Sequence, residues 1–280
     1  MRVNLIPFSA ALLFAAGFAT PAIASELADK GREIFNKNQH AVVTVEIVLK
    51  QTYSQSGQTS GPRETKQSAT GTVVDSSGLT VLALSACDPG DMYQRMQPRY
   101  KVETEVTDVN ILLADGTELP AEIVLRDKDL DLAFLRPKVK PATPMSAVDL
   151  SQSAPAQVLD ELITLNRLNK AASRAYAAGI EHVAAVVQKP RTFYVPESNT
   201  SASSLGSPAF QPNGKLVGVL VLRAISSDSG GNYNYNQNVT SIILPADAIL
   251  KAAKQAPEAK AETREAPKET EKPKDPAPAK

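Results

Sequence analysis

Gly71-Thr-Val-Val-Asp75-Ser-Ser-Gly78-Leu-Thr-Val-Leu-Ala-Leu-Ser85 spells out two short strands around a tight turn. Valine, threonine and leucine favour extended backbone on either side. Asp75 and Gly78 frame the reversal, the aspartate by bonding nearby backbone and the glycine by tolerating a positive φ. The same punctuation continues in both directions. Ala41 to Leu49 precedes this unit, which itself holds strand-like runs at Gly71 to Asp75 and Leu79 to Ala86. Val109 to Leu113, Ala121 to Leu125 and Leu130 to Leu135 follow, with Asp115-Gly116 as a hairpin turn. A proline-marked connection runs from Pro137 to Pro155, and strand-like runs then resume at Val158 to Leu165, Arg174 to Val187, Pro208 to Phe210 and Leu216 to Leu222. Asn213-Gly214 supplies a further hairpin turn. Two sets of short strands predict an all-β chain of two small antiparallel six-stranded β-barrels, over about residues 41–140 and 155–245. Helical periodicity is confined to the flanks, at Leu27 to Asn38 and Ala246 to Lys254. Two stretches lack strand patterning: Thr52 to Gln67 is expected as a mobile loop, and Cys87 to Asp108 as a charged, aperiodic insertion.

Composition narrows the function classes. The 280 residues carry 30 basic and 30 acidic side chains, so no net field pulls the chain towards nucleic acid. One cysteine, Cys87, and two histidines, His40 and His182, cannot build an intramolecular disulfide or a Cys/His zinc site, and no metal or cofactor is expected. Arg2, the apolar run Leu5 to Phe18 and Ala22-Ile23-Ala24 predict a signal peptide over residues 1–24, cleaved after Ala24. That run is broken by Pro7 and Ser9 and falls short of the roughly 20 residues a spanning helix needs, so no transmembrane segment is expected after cleavage. Export with a single cysteine points to a periplasmic or secreted bacterial protein whose domain, residues 25–255, is held by packing. Ala256 to Lys280 holds twelve charged residues and five prolines without a large apolar side chain. It is expected as a disordered Pro/Ala/Lys/Glu tail, since burial cannot offset its ordering entropy.

Four segments carry a family resemblance. Gly71 to Ser85 resembles the strand-turn-strand of the HtrA/Deg group of trypsin-like serine proteases, in which an Asp-x-x-Gly turn leads to Thr-Asn-x-His. Asp131-Leu-Ala-Phe-Leu135 is similar to the Asp-Ile-Ala-Leu-Leu around the family's triad aspartate. Ser203-Ser204-Leu205-Gly206-Ser207-Pro208 followed by Asn213-Gly214 resembles Gly-Asn-Ser-Gly-Gly-Pro and its hairpin, and Ile243 to Ala246 resembles the Ala-Ile-Pro that closes the domain. The resemblance spans about residues 27–255 and implies the chymotrypsin fold with short flanking helices. No segment resembles the PDZ module of full-length members.

Aligned in this way, the triad histidine falls on Ser85 and the nucleophilic serine on Leu205, and of the three only Asp131 remains. A serine nucleophile needs a base to take its proton, and leucine has no nucleophile to offer, so the resemblance implies an inactive member, a pseudoprotease. Ser203, Gly206 and Ser207 fall on the turn that shapes the oxyanion hole, and serines at 203 and 207 replace glycines there. An alternative stays open: Ser204 or Ser207 as a displaced nucleophile in an active periplasmic endopeptidase. His40 and His182 are expected as structural or surface residues, and Cys87 as a buried small hydrophobe. Asp131 is expected to be bonded by backbone amides, the Ser85 hydroxyl or water, and Asp129 to lie exposed on the start of the same strand.

Main-chain pairing with an extended peptide survives loss of a triad. The resemblance places it on Val221-Leu222-Arg223, making an extended peptide or an envelope protein the expected partner. Binding, scaffolding or regulation in the cell envelope is thus the leading expectation, with a purely structural envelope protein as a third reading.

Overall fold

The computed structural model describes residues 26–55, 58–90, 92, 100–198, 204–225 and 238–259. The first sheet comprises β1 (Val42–Gln55), β2 (Gln58–Thr59), β3 (Arg63–Val73), β4 (Thr80–Ala83), β5 (Tyr100–Leu112), β6 (Glu118–Asp127) and β7 (Leu132–Pro137). Their order is β2-β1-β3-β4-β7-β6-β5, and a further β1–β5 pairing closes six of them into a barrel. β8 (Glu161–Arg167), β9 (Tyr176–Val187), β10 (Phe193–Pro196), β11 (Pro208–Phe210), β12 (Leu216–Ala224) and β13 (Val239–Pro245) form the second closed barrel, in the order β10-β13-β12-β11-β8-β9. All pairings between these strands are antiparallel. Helices are few: α1 (Glu26–Asn38), α2 (Leu84–Cys87) and α3 (Ala246–Ala253). The two-barrel all-β expectation therefore holds. Among the described residues no helix is long and apolar enough to cross a membrane.

Side-chain alternation explains the barrels. On β1, Val43, Val45, Ile47 and Leu49 enter the interior of the first barrel, while Glu46 on the opposite face meets Arg174 from the second. β4 is buried on both faces: Leu82 joins the first barrel's interior, and Val81 and Ala83 join the apolar cluster shared by both barrels and the helices. β12 repeats the arrangement, with Val217 and Leu220 inside the second barrel and Val219 and Val221 in the shared cluster. Strands apolar on both faces thus mark where the barrels meet.

Several expectations need correction. The stretch Thr52 to Gln67 is largely a hairpin and not a loop: β1 continues to Gln55, β3 begins at Arg63, and Lys50 pairs with both Glu64 and Glu105. Backbone bonding to two neighbours holds this extension, so its side chains are free to be polar. Cys87 to Asp108 is not wholly aperiodic either, because β5 begins at Tyr100, with Val102, Thr104 and Val106 half-buried between exposed Lys101, Glu103 and Glu105. Leu79 to Ala86 is strand only to Ala83 before the chain turns into α2. β7 starts at Leu132, because Lys128 to Asp131 is a turn; Asp129 is exposed, but on that turn and not on a strand. The Asp127 carboxylate caps the turn by accepting from the amides of Asp129 and Leu130, both at 3.0 Å. β10 and β13 were not expected as strands.

The signal-peptide segment and most of the expected tail lie outside the described residues. The tail's first residues do touch the domain: Ala256 packs on the shared cluster and Arg136 Nε donates to the Pro257 carbonyl at 2.9 Å.

Candidate functional site: the cleft between the barrels

Asp131 organises the junction. Its backbone adopts φ +55, a left-handed conformation that aspartate tolerates better than branched residues do. The Asp131 carbonyl accepts from the Leu84 amide at 2.9 Å, which starts α2 and carries Ser85 over the carboxylate. Ser85 then donates twice, from its amide to Oδ1 at 2.7 Å and from its hydroxyl to Oδ2 at 2.8 Å. A third donor comes from the other barrel, the Leu222 amide, 2.8 Å from Oδ2. A partly buried carboxylate is thereby held by three donors without an imidazole.

The Ser204 to Ser207 turn is locked by different bonds. Gly206 has φ +93; its amide donates to the Leu220 carbonyl at 2.7 Å and its carbonyl accepts from Thr72 Oγ1 at 2.7 Å. A Cβ at this position would lie 2.0 Å from the Thr70 carbonyl oxygen of the first barrel, so only glycine fits. Leu205, 3% exposed, is part of the shared apolar cluster with Ala83, Leu132 and Leu244. Ser207 is 1% exposed, and its hydroxyl has no hydrogen-bond partner among the described residues. The Ser204 hydroxyl accepts from Asn166 Nδ2 at 3.3 Å, and Asn166 Oδ1 accepts from Thr70 Oγ1 at 2.9 Å. Ser203 lies outside the described residues.

An open cleft of about 220 Å³ is lined by Ser85, Asp131, Leu222, Arg223 and Ala224, with Arg191 and Asp129 among its charged residues. Neither histidine lines it. His40 Nδ1 is 3.3 Å from the Tyr176 hydroxyl, and His182 is 3.2 Å from Glu197 and 3.8 Å from Glu161. Cys87 is fully buried; burial pushes its thiol far above the ordinary range, and Sγ contacts the Leu84 carbonyl at 3.4 Å. Among the described residues no group of three His, Cys, Asp or Glu could hold a metal ion.

Sequence reasoning matched Ser85 to Asp131, and the fold brings them into contact. Leu205 is placed in the apolar cluster and does not line the cleft. The binding edge requires correction. Leu220 and Leu222 use their backbone groups towards Ser207, Gly206 and Asp131, away from β13, whereas the Ile225 amide donates to the Asn238 carbonyl beyond the end of β13. Alternation along a strand then aims Val221 and Arg223 backbone at β13 and leaves Leu222 and Ala224 facing the cleft. Val221 is moreover fully buried. The Leu222 amide as a ligand of Asp131 was not foreseen, because a backbone contact across barrels leaves no mark on residue type.

The arrangement offers a fixed carboxylate, a hydroxyl whose proton is directed at that carboxylate, and, beyond the Leu222 amide taken by Asp131, the Leu222 carbonyl and the Ala224 backbone facing the cleft. It can accept and donate hydrogen bonds to an extended ligand. The sequence profile of the trypsin-like peptidase domain matches residues 69–219, more than half of the chain. Among solved structures, the chain is similar to the MamO protease domain from Magnetospirillum magneticum in its apo form, with 17% identity and a TM-score of 0.49 over 78% of this chain and 97% of that one. Comparison with curated proteins gives no match.

Proposed function

Because this chain belongs to the trypsin-like peptidase domain family, we propose that it is an exported, HtrA/Deg-like pseudoprotease that binds extended peptide segments in the cell envelope instead of cleaving them. The observation that carries this reading is the bonding of Asp131. In a working triad the aspartate orients an imidazole that takes the nucleophile's proton. Here Ser85 stands in that place, and two of the donors to Asp131 among the described residues come from Ser85 itself. The Leu205 side chain is apolar and buried, so no oxygen stands ready for acylation at the matched position. The Leu222 carbonyl and the Ala224 amide and carbonyl beside the cleft support recognition by strand addition, in which main-chain bonds supply affinity and side-chain pockets supply selectivity. A regulatory or scaffolding role follows from binding without turnover.

The displaced-nucleophile reading has less support. The Ser207 hydroxyl is sealed from solvent, Ser204 is engaged by Asn166, and both histidines have their closest polar partners elsewhere. The purely structural reading rests on composition alone. A fluorophosphonate probe on the purified protein tests the proposal: no labelling and no cleavage of unfolded casein above a buffer control are expected. Stoichiometric labelling that disappears in Ser204→Ala or Ser207→Ala would overturn it.

A further inference from the structure

The cleft is lined by three cationic and three anionic side chains, but their charges are not equally available. Asp131 is already held by three donors. Asp88 faces Arg126 at 3.4 Å, and Asp129 faces Arg191 at 3.9 Å. Arg223 differs from these, since no carboxylate among the described residues pairs with it. Its guanidinium instead lies over the Phe193 ring, with Cζ 5.1 Å from the centroid. Stacking of this kind fixes the plane of the guanidinium while leaving its N–H edge free to bond an anion. Arg223 also stands between Leu222 and Ala224, the two residues whose backbone faces the cleft.

From this juxtaposition we propose that the cleft selects extended peptides bearing an acidic side chain, and that Arg223 is the residue that reads it. The inference rests on the strand-addition reading above and adds its selectivity. A peptide laid along Leu222 and Ala224 presents alternate side chains to the same face, so a glutamate in a single register position meets the Arg223 guanidinium. The planar guanidinium then bonds the carboxylate with two parallel N–H groups, a geometry that lysine could not reproduce.

The test uses the signal-free full chain and fluorescein-labelled, proline-free peptides of alternating valine and serine. A single glutamate is moved position by position, and each peptide is matched by one with lysine at that position. Fluorescence anisotropy at low salt should show about tenfold tighter binding of the glutamate peptide at one position, weakening in high salt. Arg223→Gln should abolish the difference, and Arg223→Glu should reverse it. Should Arg223→Glu fail to fold by circular dichroism, Arg223→Gln and the wild-type comparison still decide the matter. Equal binding of glutamate and lysine peptides overturns the charge assignment and leaves strand addition standing. A glutamate preference that survives Arg223→Gln overturns the role of Arg223. If no peptide binds, strand addition itself fails and this inference with it.

Discussion

Replacing Gly206 by alanine tests the account of how the two barrels are joined, and Gly214→Ala provides its control. Both glycines have positive φ, +93 at Gly206 and +82 at Gly214, so both variants lose about 1–2 kcal/mol for a backbone that L-residues avoid. Their surroundings differ. A Cβ at Gly214 meets nothing within 4 Å, whereas at Gly206 it would stand 2.0 Å from the Thr70 carbonyl oxygen and 3.5 Å from the Leu82 Cα. Relief requires the turn or β3 to move by about 1 Å or more. β3 is anchored by its pairing of Thr70 with Thr44, and the turn by the Thr72 and Leu220 bonds. Losing one such bond costs about 1 kcal/mol. Forcing an atom into a packed junction adds about 1–3 kcal/mol. The total is about 3–6 kcal/mol for Gly206→Ala against about 1–2 for Gly214→Ala. In a domain of this size each kcal/mol moves the thermal midpoint by about 2–4 °C. Melting followed by circular dichroism should therefore place Gly206→Ala about 6–24 °C below wild type and Gly214→Ala about 2–8 °C below it, with Gly206→Ala clearly the lower of the two. Midpoints that coincide for the two variants would refute the claim that the turn is wedged against the first barrel.

Three further outcomes are expected. Glu46 is buried and bonded to Lys66 at 2.7 Å and to Arg174 at 2.6 Å, and the Lys66 hydrogen bond, followed by the charges of both cations, holds its carboxyl below the usual range. A lowered folded value stabilises above the ordinary carboxylate range and is lost as pH falls through that folded value. Glu46→Gln should thus cost about 1–2 kcal/mol at neutral pH, with the gap in urea midpoint closing on acidification below about pH 4; a gap independent of pH would refute the assignment. Cys87, sealed and held far above its ordinary ionisation, should resist Ellman's reagent in the native protein and react fully in guanidinium, so rapid native labelling would contradict its burial. Truncation after Ala259 should leave the midpoint unchanged, whereas truncation after Gln255 removes the exposed Pro257 and Glu258 contacts of Arg136 and should cost under about 1 kcal/mol. A larger loss from the shorter truncation would show that the remainder of the tail docks.

Much of the architecture was legible in residue order because alternation and turn chemistry are local. Gly78, Gly116 and Gly214 all occupy positive φ at turns that their neighbours announce. Where the reading failed, the cause was non-local. The polar ends of β1 and β3 are strand because β1 bonds to both β3 and β5 along its length, so backbone pairing replaces the apolar side chains that normally reveal a strand. β10 has four residues and β13 seven, and each is extended through its neighbours in a closed barrel, a condition their own composition does not state.

The residues themselves determined the candidate site's chemistry. With serine at 85 and leucine at 205, the position that resembles the family's histidine carries no imidazole and the one that resembles its nucleophile carries no hydroxyl in any fold, since side-chain composition is a covalent fact. Tertiary structure alone decided what Asp131 does in their place. Among the described residues, residues 85 and 222 donate to it, brought together only when both barrels close. It also decided which backbone faces the cleft: the Leu222 carbonyl and the Ala224 amide and carbonyl do, with the Leu222 amide taken by Asp131, while Val221 and Arg223 face β13. Strand alternation sets that division only after pairing has fixed the register, and register depends on contacts distant along the chain.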